Sequence, residues 1–528
     1  MIGFLRCFSC VAFMLGATFA RAGQPEAAIS AAQPVRVERF EFRGNRVLHL
    51  DVLRGAAAPY VGRDLTASDI DALRVALTRL YSDRGYVNSG VILDPDAPYH
   101  DGVLSFLAIE GQIKEVHVRG LKGLRPSYVI DRVRGQDDEV LNGNVLRERF
   151  LQLSEDPLFS VVNSRIDTIA EPGDANLDVE VQRARPYSLT LALNNYRPPS
   201  IGEKGYDFNA EIHDLTGYGD VLDADVSGPV EFSGGVGYAF SWQTPFNARG
   251  SLVSLSAARI NTVVTEEPLS VLDIRSTIDR QELKLTQPLW NTSRGQFNLS
   301  ASVADEKEST EGDLLFSLLP GSGEGVTRSV TLRFMPDFSY RTERQFFGAK
   351  LTLLYASLID IPANAAPDSL PDKRYFVWSG QLHHVLEFAH APLELESRAT
   401  VQRTDSRVAD LHLLEIGGVN SVRGFRENEF LASNVTNLNM DFRWIALRAG
   451  ATQRPDLAIG TFFDWAAGHD VGESADTFSS YGFTFRLKWP HFMADVAYGL
   501  PLIHPSFVTE EHGSWQDHGI HVQIATTL

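Results

Sequence analysis

Tyr481-Gly482-Phe483-Thr484-Phe485-Arg486-Leu487-Lys488-Trp489 is the stretch that decides the fold of this chain. Successive side chains of a strand point to opposite faces. Tyr481, Phe483, Phe485, Leu487 and Trp489 therefore share one face, while Gly482, Thr484, Arg486 and Lys488 share the other. An oily face with aromatic ends, backed by a charged one, suits a strand with lipid outside and a watery lumen inside. Leu438, Met440, Phe442 and Trp444 oppose Asn439, Asp441 and Arg443 in the same way. A soluble sandwich also alternates, but it turns its charged face outward and accommodates fewer strands.

From this stretch outward, sixteen short alternating runs bounded by glycine, proline, asparagine or aspartate fill the chain from Tyr187 to Leu528. They lie near 187 to 196, 205 to 213, 220 to 228, 235 to 243, 251 to 259, 280 to 287, 295 to 303, 328 to 335, 348 to 356, 375 to 385, 393 to 402, 437 to 446, 457 to 466, 481 to 489, 492 to 499 and 519 to 528. An even number of strands of about ten residues is what a closed bacterial outer-membrane barrel requires, since closure leaves no unpaired edge in lipid. Bulk composition does not oppose this: hydrophobic residues make up 44% and charged residues 22%, and alternation averages lipid-facing and lumen-facing residues to values like these.

The amino-terminal residues read as a secretory signal over 1–22, with Arg6, an apolar run from Val11 to Phe19 and Ala20-Arg21-Ala22 before Gly23. That run is too short for a spanning helix, and no later segment is long and apolar enough. Both cysteines, Cys7 and Cys10, fall within the signal, so the mature chain needs neither disulfides nor thiolate chemistry. A formal net charge of −19 argues against a nucleic-acid partner, because phosphate binding depends on lysine and arginine.

Between the signal and the barrel, residues 35–185 repeat one order of elements twice. Val35-Arg36-Val37-Glu38-Arg39-Phe40-Glu41-Phe42 reads as one half-buried strand that breaks at Gly44-Asn45. Ile70, Leu73, Leu77 and Leu80 recur at helical spacing over Ser68 to Arg84, with Thr66 or Ser68 as the cap and Gly85 as the stop. Strands at Val91 to Leu93 and Val103 to Ile109 follow. The second unit has a strand at Val116 to Gly120, helices near Tyr128 to Val133 and Val145 to Leu153, and strands near Val161 to Ile169 and Leu177 to Val181. Each is a β-α-α-β-β module of about 75 residues, within the size at which small domains fold.

The longest glycine-rich connection lies between the eleventh and twelfth runs, about 403–435. It carries Gly417-Gly418-Val419-Asn420-Ser421-Val422-Arg423-Gly424-Phe425-Arg426. Counting strands outward from the modules makes it the sixth outer loop. In Leu457-Ala458-Ile459-Gly460-Thr461-Phe462-Phe463-Asp464-Trp465 the outward set is Leu457, Ile459, Phe463 and Trp465, so parity turns Asp464 toward the lumen. A guanidinium and a carboxylate can pair bidentately, which suits a latch that fixes one loop position.

The module order, with Gly85-Tyr86-Val87 and Glu110-Gly111-Gln112-Ile113, resembles the polypeptide-transport-associated (POTRA) domain. Val422-Arg423-Gly424-Phe425 resembles the conserved-loop signature of outer-membrane protein translocation barrels, and Phe462-Phe463-Asp464 its Phe-x-Asp strand motif. With two modules and Arg185-Pro186-Tyr187 leading into the first strand, the chain resembles the two-partner secretion transporters (TpsB), the haemolysin secretion/activation family. The resemblance implies a 16-stranded antiparallel transmembrane β-barrel preceded by two periplasmic α+β POTRA domains, at 35–110 and 111–185, with the barrel over 186–528. It implies a loop that folds into the lumen, with Val422, Arg423, Gly424, Phe425 and Asp464 as its latch. It also implies a secreted exoprotein partner bearing an amino-terminal secretion domain, contact with outer-membrane lipid, insertion by the barrel-assembly machinery and a monomeric pore.

Within the second module, Val145, Phe150, Val161, Val162 and Ile166 are candidate substrate-binding residues, because a strand edge beside a helix can accept an extended segment. The segment 23–34 is too short for the plug helix and linker common in the family, so no plug helix is expected. The last strand ends in Leu528, where an aromatic is usual. Neither cofactor nor enzymatic activity is expected: there is no phosphate-binding glycine motif, and Gly321-Ser322-Gly323-Glu324-Gly325 reads as an outer loop. His383 and His384 point to opposite faces of a strand, so with His390 they do not form a metal site. Two other functions fit parts of the pattern, a factor that inserts other outer-membrane proteins and a passive porin.

Overall fold

A computed structural model describes residues 34–135, 139–231, 234–247, 249–313, 315–316, 324–361, 370–448, 455–507 and 513–528. The signal-peptide reading of 1–22 lies outside the described residues, as do the short linker apart from Pro34 and most of the 321–325 loop. The chain divides into two compact units, one ending at Ala184 and one beginning at Arg185.

The first unit holds both modules. In the first, helix Ala67–Ser82 begins with a capping box, in which Thr66 accepts the Asp69 N–H and Asp69 accepts the Thr66 N–H. Leu73, Leu77 and Tyr81 of this helix pack with Leu53 and Phe106 in a fully enclosed core. The sheet places Val103–Ile109 between Arg39–Arg43, parallel to it, and Gly90–Leu93, antiparallel. Val35 to Phe42 is not one strand. Its apolar parity slips from Val35 and Val37 to Phe40 and Phe42, and the chain changes partner there. Val35–Val37 pairs with Arg63–Leu65, and the Glu38 and Arg39 N–H groups both donate to the Gly102 carbonyl, at 2.7 and 3.1 Å.

In the second module, strands Ile113–Arg119 and Phe159–Thr168 flank Ala175–Arg183. Helices Pro126–Arg134 and Gly143–Ser154 bury Val129, Val133, Leu146, Phe150 and Leu153 against the sheet. A backbone bond splices the two modules, Gly143 N–H to Gly85 carbonyl at 2.8 Å, and beside it the Leu141 N–H donates to the carbonyl of Gly111 at the junction, also at 2.8 Å. A side chain at Gly111 would collide with the Gly173 carbonyl. At the edge of the first core, the Tyr81 hydroxyl donates to Glu110 at 3.0 Å. Burial first, then the Glu110 charge, holds Tyr81 above its ordinary pKa.

The second unit is a closed barrel of sixteen strands, as the alternation predicts. Neighbours pair antiparallel in chain order, and the last strand, Ile520–Thr527, closes onto the first, Tyr187–Asn194. Phe240, Phe334, Phe376, Phe442, Trp444, Tyr481 and Phe483 are exposed on its outer face, where lipid replaces water and such exposure carries no hydrophobic cost. The sixth to ninth strands are much longer than the expected ten residues: Arg275–Thr292, Gly295–Glu311, Gly325–Arg341 and Gln345–Asp360 span 18, 17, 17 and 16. Beyond the apolar band outward positions carry paired charges: Asp279 of the sixth strand with Arg259 of the fifth, Leu252–Val263, at 2.6 Å, and Asp305 with Arg328 at 2.7 Å. The strands thus continue past lipid into water. The hydrophobic pattern ends before the hydrogen-bonded ladder does.

Candidate functional site

Residues between the eleventh strand, Leu393–Arg403, and the twelfth, Asn434–Leu447, turn back into the lumen. A short hairpin, Leu414–Ile416 with Phe430–Ala432, gives the segment its shape. Gly417 and Gly418, with φ of +104° and +87°, make the turn out of its first strand. A small apolar core seats the hairpin: Ile416, Val422, Phe425 and Ala432 pack on Val435, Ala466 and Phe478 of the twelfth to fourteenth strands. Those three wall residues face inward.

Arg423 is buried at the centre of this seat. Its Nε donates to Asp464 Oδ2 at 2.7 Å and its Nη2 to Asp464 Oδ1 at 2.8 Å. The remaining side of the fork meets a second carboxylate, with Nη1 2.8 Å from Asp441 Oδ1 and Nη2 3.2 Å from Asp441 Oδ2. The backbone N–H of Arg423 also donates to Asp464 Oδ2, at 3.1 Å. The guanidinium lies over the Phe462 ring, 3.7 Å from its centroid, so the cation is held in plane by carboxylates and on its face by π density. Asn439 donates to Asp464 Oδ1 at 2.8 Å and also to the Ser421 carbonyl of the loop.

Val422 and Phe425 belong to the apolar seat, and Gly424 has a different part. At φ +94° it packs backbone to backbone against Gly499, where a side chain would come within 2.9 Å of the Gly499 carbonyl carbon. Its N–H donates to Nε2 of the fully buried His521 on the last strand, at 3.2 Å. Arg426 then spans the mouth, bonded to Asp517 at 2.5 and 2.9 Å and to Glu266 at 3.0 and 3.3 Å. One tetrapeptide therefore touches strands twelve to sixteen.

Asp441, Arg426 and His521 were not singled out from sequence. For Asp441 the signal was partial: parity puts it on the inward face with Asn439 and Arg443, and only the ladder register sets it opposite Phe462, two positions before Asp464 and on the same face. Nothing in the chain order announces Arg426 or His521, whose partners are 91 and 97 residues away. His383 bonds Glu396 at 3.0 Å and belongs to the lumenal charge lattice.

The candidate residues of the second module separate by burial. Val145 and Val161 are 39% and 40% exposed, whereas Phe150 is 3% exposed. Phe150 lies one helical turn beyond Leu146 and shares its core face, so it packs the module and offers nothing to a partner. Val162 and Ile166 are half-buried against the same core. The strand carrying Val161, Val162 and Ile166 is an edge of its sheet.

Comparison with known proteins gives a consistent result. Residues 173–477, more than half of the chain, match the family described as haemolysin secretion/activation protein ShlB/FhaC/HecB. Residues 35–111 match the POTRA domain, ShlB-type. The outer membrane transporter CdiB of Escherichia coli is 22% identical over 483 residues, covering 86% of this chain and 77% of that protein. The heme/hemopexin transporter protein HuxB of Haemophilus influenzae is 23% identical over 188 residues, 35% of this chain; the match spans about a third (33%) of the length of that protein. Among solved structures, CdiB from Escherichia coli superposes with a TM-score of 0.72 at 17% identity, covering 96% of this chain and 93% of that one. BamA from Haemophilus ducreyi lacking POTRA domains 1-3 gives 0.56 at 12% identity, covering 94% and 100%.

Proposed function

This chain belongs to the haemolysin secretion/activation family ShlB/FhaC/HecB, and from that premise we propose that it exports one large exoprotein across the outer membrane, by two-partner secretion. The modules bind the exoprotein's amino-terminal secretion domain in the periplasm, and the unfolded chain passes through the barrel lumen. No nucleotide is hydrolysed. The supporting observation is the lumenal loop pinned by Arg423 between Asp464 and Asp441. A passive porin has no use for a stopper locked by fully buried charges, whereas a conduit for a polypeptide must be shut between substrates. The pair costs desolvation, so its value is a single defined loop position. Val422, Arg423, Gly424, Phe425 and Asp464 act as the latch, with Asp441 as its second jaw. Val161 and Val145 belong to the docking surface on the second module, where the edge strand Phe159–Thr168 takes an extended segment by strand addition. Boundaries at 35–110, 111–185 and 186–528 fit this division of labour. A cleaved signal at 1–22 delivers the chain to the periplasm, the barrel-assembly machinery inserts it, and it works as a monomeric pore without a cofactor.

The insertion-factor reading draws on one observation. The seam between first and last strands has five register pairs, Gln523 to Thr527 against Asn194 to Thr190, fewer than any other ladder of the barrel. Supplementary bonds close it: Leu189 and Leu528 exchange backbone bonds at 3.3 and 2.8 Å, and the Asn195 amide bonds Ile520 and Val522 at 2.8 and 2.7 Å. A seam disulfide separates the two readings. The Thr190 and Thr527 hydroxyls are 3.0 Å apart, so Thr190→Cys with Thr527→Cys can bridge directly paired positions. Export through the lumen continues with the seam locked, whereas insertion of other proteins through an opened seam stops.

A further inference from the structure

The lumenal loop is held at a second place as well. Its first limb runs through a short 3-10 turn, Asp410–His412, and there the His412 ring is buried against the opposite side of the wall. Nε2 lies 3.0 Å from Glu306 Oε2 on the seventh strand, and Nδ1 lies 2.6 Å from the Tyr375 hydroxyl on the tenth, Arg374–Glu387. The Tyr375 oxygen also accepts the Ala409 N–H at 3.3 Å. A carboxylate can only accept, so Nε2–H donates to Glu306. The Tyr375 hydroxyl is then free to donate to Nδ1. One tautomer thus satisfies every group in the chain from Ala409 to Glu306. Arg333 and Arg280 fix Glu306 from behind, at 2.7 and 3.3 Å.

Packing supports this anchor independently. Val408 and Ala409 of the loop are buried with Leu354, Ala356, Tyr375 and Val377, inward residues of the ninth and tenth strands. Gln402 donates to the His412 carbonyl at 2.9 Å and to the Ser433 carbonyl at 3.2 Å, tying the two limbs of the loop at its root. Among the described residues, this network and that of Arg423 share no side chain. They rest on different strands and different apolar clusters.

We propose that His412 is the positioning residue of a second latch, which releases the root of the loop separately from the Arg423 latch at its tip. One limb can then swing aside for a passing polypeptide while the other keeps the loop in register. The inference rests on reading Arg423 as a latch but concerns a different set of residues.

The two natural cysteines, Cys7 and Cys10, lie in the segment expected to be removed, so a single thiol can report each end of the loop. Ala409→Cys marks the root and Ser421→Cys the tip, at positions only 2% and 6% exposed. The measurement is the rate at which each thiol, in the full-length protein in outer-membrane vesicles, reacts with a membrane-impermeant maleimide. His412→Ala should raise the rate at 409 about tenfold or more, the loss expected for one charge-assisted hydrogen bond, and leave 421 within about twofold. Tyr375→Phe, which keeps the ring and its packing, should give the same pattern with a smaller rise. Arg423→Ala should do the reverse. Equal exposure of both thiols in Tyr375→Phe, or no change at 409 in either variant, overturns the second latch. If Arg423→Ala leaves 421 unreactive, the tip latch fails while the result at 409 still decides this one.

Discussion

Arg423→Ala is the perturbation with the largest expected effect on the loop. It removes four side-chain hydrogen bonds to two carboxylates that are themselves fully buried. Removing one partner of a buried pair costs about 3–5 kcal/mol, because the stranded charge keeps its desolvation penalty. Residual support sets the value here. Asn439 still donates to Asp464 at 2.8 Å, and Arg443 and Arg398 remain 3.5 and 3.8 Å from Asp441. The loss should therefore lie near the lower end, about 3 kcal/mol, or roughly 100-fold in the ratio of seated to unseated loop. Phe425 is buried only while the loop is seated, so chymotrypsin added from outside reads the unseated population. Cleavage at Phe425 should accelerate by about that factor, while the barrel remains folded. Arg423→Ala combined with Asp464→Ala should be milder than the sum of the two, because the double change removes the stranded carboxylate. Exchanging the two residues should not restore the latch, since Asp441 would then face a second carboxylate. An unchanged cleavage rate in Arg423→Ala, or strict additivity in the double variant, would refute the reasoning.

Further outcomes follow from other parts of the molecule. Gly424→Ala places a methyl group at φ +94° and within 2.9 Å of Gly499; loop seating should weaken by about 1–3 kcal/mol, read by the same cleavage assay. Phe106→Ala empties part of a fully enclosed core, so the first module should lose about 3–5 kcal/mol and become protease-sensitive while heat-dependent gel mobility still reports a closed barrel. Oxidising the Thr190→Cys, Thr527→Cys pair should leave exoprotein release intact; release that is lost on oxidation and regained with reductant would favour a route through the seam. Deleting residues 35–183 should abolish release of one exoprotein and spare barrel assembly, and unchanged release would argue that the modules are dispensable.

How much of this was legible in the sequence depends on which residues carry each feature. All sixteen strands announce themselves because alternation between lipid and lumen is enforced at every position of the apolar band, as from Tyr481 to Trp489. Their ends do not, since Asp279, Asp305, Lys307 and Arg328 lie where water bathes both faces of the ladder and no periodicity is required. Parity alone suffices to turn Asp464 inward. Asp441 obeys the same parity, but choosing it needs the cross-strand register, which a single chain does not display. The break at Glu38 shows in the sequence only as a slip from odd to even apolar positions, with two apolar residues on each side, too few to set two separate periods. His412 gave no signal, because its partners at 306 and 375 become neighbours only when the barrel closes.

The central claim is that this chain exports one protein through a lumen gated by a latched loop. Its most direct test is the protein content of the culture medium of a strain deleted for the chain, then complemented with the wild type or with Arg423→Ala. The account predicts that one large exoprotein disappears from the medium on deletion, returns with the wild type, and does not return to normal amounts with Arg423→Ala although that variant assembles as a folded barrel. A medium whose proteins are the same in all of these strains would contradict it.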